Sequence, residues 1–175
     1  MKLISTITTT GSQQIIDFTS IPQTYTDLMF VASMRNSSTA NDEIYITVNG
    51  SGGAGTAMNN RYLTGTGSTV SSATVLNAAA LWQVMYQNGT STANTFGSLQ
   101  LYVPNYSLTG VKVFSTDSVA ENNGSAARQV LIAQNLTLTP AVTSVQFISA
   151  ATNFAANSTI SLYGITNGSG GATVA

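Results

Sequence analysis

The sequence predicts an all-β protein, a jelly-roll-like antiparallel β-sandwich. Apolar residues recur with period 2 in nearly every segment, which places alternate side chains on one face of a strand. Turn signals such as Gly11-Ser12, Asn49-Gly50, Asn88-Gly89 and Asn123-Gly124, with Pro22, Pro104 and Pro140, divide the chain into about ten short strands. Thr, Val, Ile, Tyr and Phe supply the β propensity. The expected organisation is one sandwich domain over residues 1–166 and a Gly/Ser-rich tail over 167–175.

In order, Leu3 to Thr9 alternates, Gly11-Ser12 turns, and Gln13 to Phe18 forms a second strand. Ile21-Pro22-Gln23 ends it, because proline cannot sit in a central strand. Asp27 to Arg35 is apolar on both faces, with Leu28, Phe30, Ala32 and Met34 on one and Met29 and Val31 on the other. In Glu43 to Val48, Ile44, Ile46 and Val48 point inward, and Asn49-Gly50 supplies the positive φ angles of a tight turn. After a Gly-rich loop, Asn60 to Leu63 reads as a short strand. Ala78 to Tyr86 reads as a strand with Trp82, Val84 and Tyr86 on one face, although Ala78-Ala79-Ala80 gives Val75 to Tyr86 some helical propensity. Phe96 to Val103 turns Leu99, Leu101 and Val103 inward and Gln100 and Tyr102 outward. In Val111 to Val119 the expected inward residues are Val111 and Val113, against Lys112 and Phe114. Arg128 to Leu138, Val142 to Ile148 and Thr159 to Ile165 complete the set. The expected core is Phe30, Ile46, Leu101, Val113, Ile132, Phe147 and Leu162, while Met29, Val31, Tyr45, Tyr102 and Phe114 face outward. Strands apolar on both faces fit a lipocalin-like barrel less well than a sandwich.

Composition narrows function. The 175 residues carry five Lys and Arg and six Asp and Glu, so five cations cannot make the basic stripe that binds nucleic acid. Histidine and cysteine are absent, which removes Ser–His and Cys–His catalysis, the usual ligands of zinc and iron–sulfur sites, and disulfides. No cofactor is expected. The 21 serines, 26 threonines and 15 asparagines must build a neutral polar surface. Met1 to Ile7 lacks the apolar stretch of a secretory signal, and the longest apolar run, Ala78 to Met85, falls far short of the ~20 residues of a membrane-spanning helix. The expectation is synthesis in a cytoplasm without a signal peptide and no membrane partner; a Thr-, Ser-, Asn- and Gly-rich chain with few charges and no signal fits a protein released by cell lysis, such as a virion component.

Several clusters have two readings. Asp42-Glu43 is the only adjacent acid pair, suited to glycosidase chemistry only if a second acid faces it. Asp117 and Glu121 with Asn122 and Asn123 offer oxygen ligands for calcium, but the spacing of a known calcium loop is missing and an Asx-stabilised turn is the simpler reading. Eight Asn-x-Ser/Thr triplets, starting at Asn36, Asn49, Asn88, Asn105, Asn123, Asn135, Asn157 and Asn167, read as turn chemistry more readily than as glycosylation acceptors. Gly50 to Thr56 lacks the Gly-Lys-Ser/Thr ending of a phosphate loop. Trp82, Tyr86, Tyr102 and Tyr106 would suit a sugar-stacking platform, although aromatic residues on strands more often serve the core or a subunit interface. Tyr45, Trp82, Tyr102 and Tyr106 are therefore the candidate subunit or ligand contacts. Lys2, Arg35, Arg61, Lys112 and Arg128 are scattered, each expected to pair with an acid or a partner.

The stretch Ile16 to Leu28 (IDFTSIPQTYTDL) resembles small virion proteins of tailed bacteriophages. So do Asn94 to Leu99, Pro104-Asn105-Tyr106, Asp117-Ser118-Val119 with Glu121-Asn122-Asn123, and Leu162-Tyr163-Gly164-Ile165. The pieces span the domain in order. The resemblance implies a non-enzymatic particle component, either a capsid decoration (cement) protein bound to the major capsid protein of the same phage or a tail or fibre domain that binds a host-surface glycan. It carries over no catalytic residues. Eleven charged residues are few for the outer faces of ten strands, which points to a homo-oligomer. A trimer is implied by the threefold positions of phage capsids rather than by any residue.

Overall fold

The computed structural model describes residues 1–38, 43–50, 58–78, 91–121, 127–137, 140–150 and 152–166. They form eleven strands: β1 (Lys2–Thr8), β2 (Ile15–Phe18), β3 (Asp27–Met34), β4 (Ile44–Val48), β5 (Met58–Thr66), β6 (Thr69–Ala78), β7 (Gly97–Val103), β8 (Lys112–Glu121), β9 (Ala127–Leu136), β10 (Val145–Ser149) and β11 (Thr159–Ile165). Every pairing is antiparallel. One sheet has eight strands in the order β1-β11-β3-β7-β8-β9-β5-β6, and the other has three in the order β2-β10-β4. This is the antiparallel β-sandwich expected from the alternation, with its strands divided eight against three. The chain crosses to the smaller sheet three times, at β2, β4 and β10.

Period 2 fixes which side chains fill the space between the sheets. Leu28, Phe30, Ala32 and Met34 of β3, Leu99, Leu101 and Val103 of β7, and Ile160 and Leu162 of β11 form the floor. Ile16 and Phe18, Ile44, Ile46 and Val48, and Val145 and Phe147 form the lid. Phe18, Phe30 and Phe147 meet edge to face, with ring centroids 5.4 Å apart for Phe18–Phe30 and Phe30–Phe147 and 6.3 Å for Phe18–Phe147. Such geometry adds about 0.5–1.5 kcal/mol per pair beyond burial. Six of the seven expected core residues are buried as predicted.

The seventh is a correction. Val113 is 51% exposed and Phe114 is 3% exposed, the reverse of the expected phase in β8. Lys112 explains the reversal. It opens the strand on the inner side, 2% exposed, and its ammonium reaches back to donate to the carbonyls of Leu108 and Gly110 in the preceding turn. A lysine whose charge is satisfied by turn carbonyls can take an inward position at a strand end, and every later residue follows. Burial lowers its pKa.

A second difference concerns β5 and β6. The strand expected over Asn60 to Leu63 extends from Met58 to Thr66 and turns through Gly67-Ser68, with Gly67 at φ 57°, into β6. The strand expected over Ala78 to Tyr86 meets the described residues only at Ala78.

Neutral side chains tie the connections. Asn49 sits at φ 52°; its Nδ2 donates to the Ala141 carbonyl (2.7 Å), and its Oδ1 accepts from the N–H groups of Thr143 (2.7 Å) and Ser144 (3.1 Å). One side chain thus fixes the entry to β10. Asn105 and Asn157 also take positive φ, and Asn36 accepts from the Ser38 N–H at 3.2 Å. Four of the eight triplets therefore begin in local turn or bridge geometry, as the sequence suggested, and Asn135 lies within β9. Those starting at Asn88, Asn123 and Asn167 lie outside the described residues. On β11 a Cβ built on Gly164 would overlap the Tyr25 ring, so this glycine exists to admit the ring against the sheet.

Truncation should separate the faces of these strands. Phe147→Ala is expected to cost about 3–5 kcal/mol in chemical denaturation, and Val113→Ala about 0.5 kcal/mol or less. A loss under about 1 kcal/mol at Phe147 would contradict the assigned core. Gly164→Ala is expected to cost about 1–3 kcal/mol through displacement of Tyr25, and an unchanged melting temperature would contradict that packing.

Candidate functional site

The outer face of the eight-stranded sheet carries a groove of about 760 Å³. Register assembles its floor from two side-chain rows. One runs Gln100, Asp117, Leu131, Leu63, Ser72 across β7, β8, β9, β5 and β6, and Val31 of β3 extends it. The other runs Met29, Tyr102, Ser115, Ala133, Arg61, Thr74 from β3 to β6. Six adjacent strands span about 24 Å, and the rows lie about 7 Å apart. The floor has apolar ground at Met29, Leu63, Leu131 and Ala133, hydroxyls at Ser72, Thr74 and Ser115, one guanidinium, one carboxylate and one primary amide.

Arg61 and Asp117 stand two strands and one row apart, roughly 12 Å by strand spacing, so neither neutralises the other. Asp117 instead accepts from Gln129 Nε2 at 3.2 Å. Asp117 is the single carboxylate of the lining, whereas glycoside hydrolysis uses two within about 5–9.5 Å. The expected calcium set is Asp117 on this outer face together with the Glu121 side chain, Asn122 and Asn123, which lie outside the described residues.

Tyr102 forms one end of the groove, and its hydroxyl donates to Asp27 Oδ2 at 2.8 Å. The other oxygen, Oδ1, accepts from the Asn105 N–H at 2.9 Å, so Asp27 clamps the start of β3 to the turn after β7. The hydrogen bond to Asp27, then burial and the carboxylate charge, raise the Tyr102 pKa above 10.0.

The four candidate contact residues are not brought together. Tyr102 is half-buried in the groove. Tyr45 lies on the opposite side of the molecule, half-buried on the outer face of the three-stranded sheet beside Ile148, with its hydroxyl donating to Glu43 at 3.3 Å. Trp82 lies outside the described residues, as do Tyr86, Asp42 and Ser51 to Ala57. Tyr106 is a correction: it is fully buried, its hydroxyl donates to the Pro22 carbonyl, and burial raises its pKa. A ring sealed in this way offers no surface to a ligand. Arg35 departs from the expected acid pairing, since its guanidinium donates to the carbonyls of Ser91 (3.0 Å), Thr92 (2.8 Å) and Thr95 (2.9 Å).

No protein-family model, curated protein or solved structure matches this chain. The groove is therefore read from its own chemistry. The sequence offers Arg61 only as one of five scattered cations and does not single out Leu63 and Leu131. Their signal was apolar residues in both phases of one strand, seen in β9 as Leu131 beside Ile132.

The Asp27 clamp has a defined pH signature. Tyr102→Phe should cost about 1 kcal/mol at neutral pH. Because the folded pKa is raised, the contribution of the hydroxyl is complete below about pH 10 and is lost as pH rises through the folded value. Stability of the wild type and the variant should converge above that pH in urea titrations. A constant difference across alkaline pH would contradict the assignment.

Proposed function

We propose that this chain is a non-enzymatic structural protein of a bacteriophage particle, a capsid decoration (cement) protein that binds the major capsid protein as a homo-oligomer on the virion surface. The observation that carries the reading is the outer face of the eight-stranded sheet. Val31, Leu63, Val113, Val119 and Leu131 are all exposed there, in a chain with eleven charged residues. Exposed apolar ground of this extent marks a contact surface. Contacts built from apolar and neutral polar groups are also less sensitive to salt than ion pairs. The resemblance to tailed-phage virion proteins supplies the particle, and the jelly-roll-like form of the sandwich and the trimer belong to the same reading.

A second reading is favoured by the groove. Arg61, Asp117 and Gln100 beside the Tyr102 ring are groups that hydrogen-bond and stack on sugars, as a tail or fibre domain bound to a host-surface glycan would require. Copy number in purified particles separates the two. Hundreds of copies per particle, on the head, are expected for a decoration protein. A few to tens at the tail, with glycan binding lost in Arg61→Ala and Asp117→Ala, would overturn it in favour of recognition.

A further inference from the structure

Strand β6 ends the eight-stranded sheet, and among the described strands it pairs on one side only, with β5. It runs for ten residues, Thr69–Ala78, and contains no charged residue and no proline. Its outer-face residues Val70 and Leu76 are 75% and 65% exposed, the highest values for any large apolar side chain on a described strand. Among the described residues the outward edge of this long, neutral strand has no pairing partner, and its register with β5 is regular from Thr69 to Val75; such an edge templates pairing with another strand.

We propose that β6 pairs with β6 of a second copy of this chain, antiparallel about a twofold axis through Ala73. The strand is self-complementary about that residue. With Ala73 opposite Ala73, Val70 of each copy faces Leu76 of the other, Ser72 faces Thr74, and Ser71 faces Val75. On the outer face each apolar residue thus covers an apolar residue and each hydroxyl meets a hydroxyl, while on the inner face Val75 meets Ser71. Directly opposed residues of an antiparallel pair share a face, so a register centred on one residue keeps the inner and outer faces of both copies aligned. A shift by one residue would set Val70 against Asn77 and break that alignment. Two neutral strands meet without charge repulsion and without stripping water from an ion. The groove gains from the same contact. It already reaches Ser72, Ala73 and Thr74, and across the axis its floor continues onto the second copy, giving one trough over two sheets. The isologous contact rests on strand register alone, independent of where the protein sits on a particle; in a threefold assembly it would join neighbouring trimers.

The full chain lacks cysteine, which makes cross-linking specific. Oxidised Ala73→Cys is expected to form a covalent pair, because opposed antiparallel residues lie within disulfide reach. Ser71→Cys, two residues from the axis, is expected to stay single. Sedimentation at micromolar concentration should show a species of twice the 18.1 kDa chain mass or a multiple of it. Val70→Lys alone and Leu76→Glu alone should each weaken it roughly tenfold or more, since each change is met twice across the axis. The double variant Val70→Lys/Leu76→Glu should recover association by facing opposite charges, with circular dichroism confirming that every variant is folded. A monomer at high micromolar concentration, equal cross-linking at positions 71 and 73, or no recovery in the double variant would each overturn the pairing. So would cross-linking of Ala73→Cys to a shell protein instead of to itself in assembled particles. An oligomer that forms without position 73 cross-linking would leave the particle reading standing and remove this contact.

Discussion

Phe18, Phe30 and Phe147 come from β2, β3 and β10, and their edge-to-face contacts are where the two sheets grip each other. The smaller sheet has only three short strands, and a sheet of that size is marginal without packing against another element. Its stability is therefore borrowed from the ring cluster and the aliphatic residues around it. The floor beneath the cluster belongs to β11, β3 and β7, the middle of the larger sheet's first half. The outer face of that sheet can be polar, apolar or grooved because the inner face has already fixed the register.

Scarcity of charge shapes the rest. Where many domains pin a loop with an ion pair, several described loops here are held by neutral groups or by a charged group bonded to backbone. Asn49 bridges three backbone groups before β10. Arg35 holds three carbonyls of one loop, Lys112 holds two of another, and Asp27 joins a tyrosine hydroxyl to a backbone N–H. Hydrogen bonds with one charged member are stronger than neutral pairs, so a few charges go far when each serves several partners. Serine and threonine, 47 of the 175 residues, then supply most of the remaining polar side chains.

Most of the fold was legible because a buried face imposes strict alternation. β3, β4, β7 and β11 fall within a residue or so of the expected bounds, and the Asn-Gly signal at residue 49 marks a real left-handed turn. Of the β5–β6 hairpin only the centre of β5, Asn60 to Leu63, was legible. The rest is mostly Thr, Ser, Gly and Ala, and an edge strand with little to bury shows no apolar period. β8 was read in the wrong phase because a lysine was assumed to face water, whereas Lys112 is fed by turn carbonyls. Tyr106 was misplaced for a related reason: a phenol can be buried when one carbonyl accepts its proton, and no local pattern announces that carbonyl. The groove was the least legible feature. Its rows combine residues from six strands, and only register brings Gln100, Asp117, Leu131 and Leu63 into line.

The alternation of the chain between sheets governs how it can fold. Among the described strands, β2 pairs only with β10, and β10 is also the one neighbour of β4. β1 waits in the same way for β11, which in turn joins β3. Segments near the start of the chain are thus held by segments synthesised more than a hundred residues later, and the lid over Phe30 closes only when residues 145–165 are present. During synthesis the β5–β6 hairpin and the β7–β8–β9 meander can form from neighbours, while β1, β2, β3 and β4 still lack at least one partner strand. Pairings this distant in sequence carry a large loop-closure cost, and β topologies dominated by them fold on the millisecond-to-second scale.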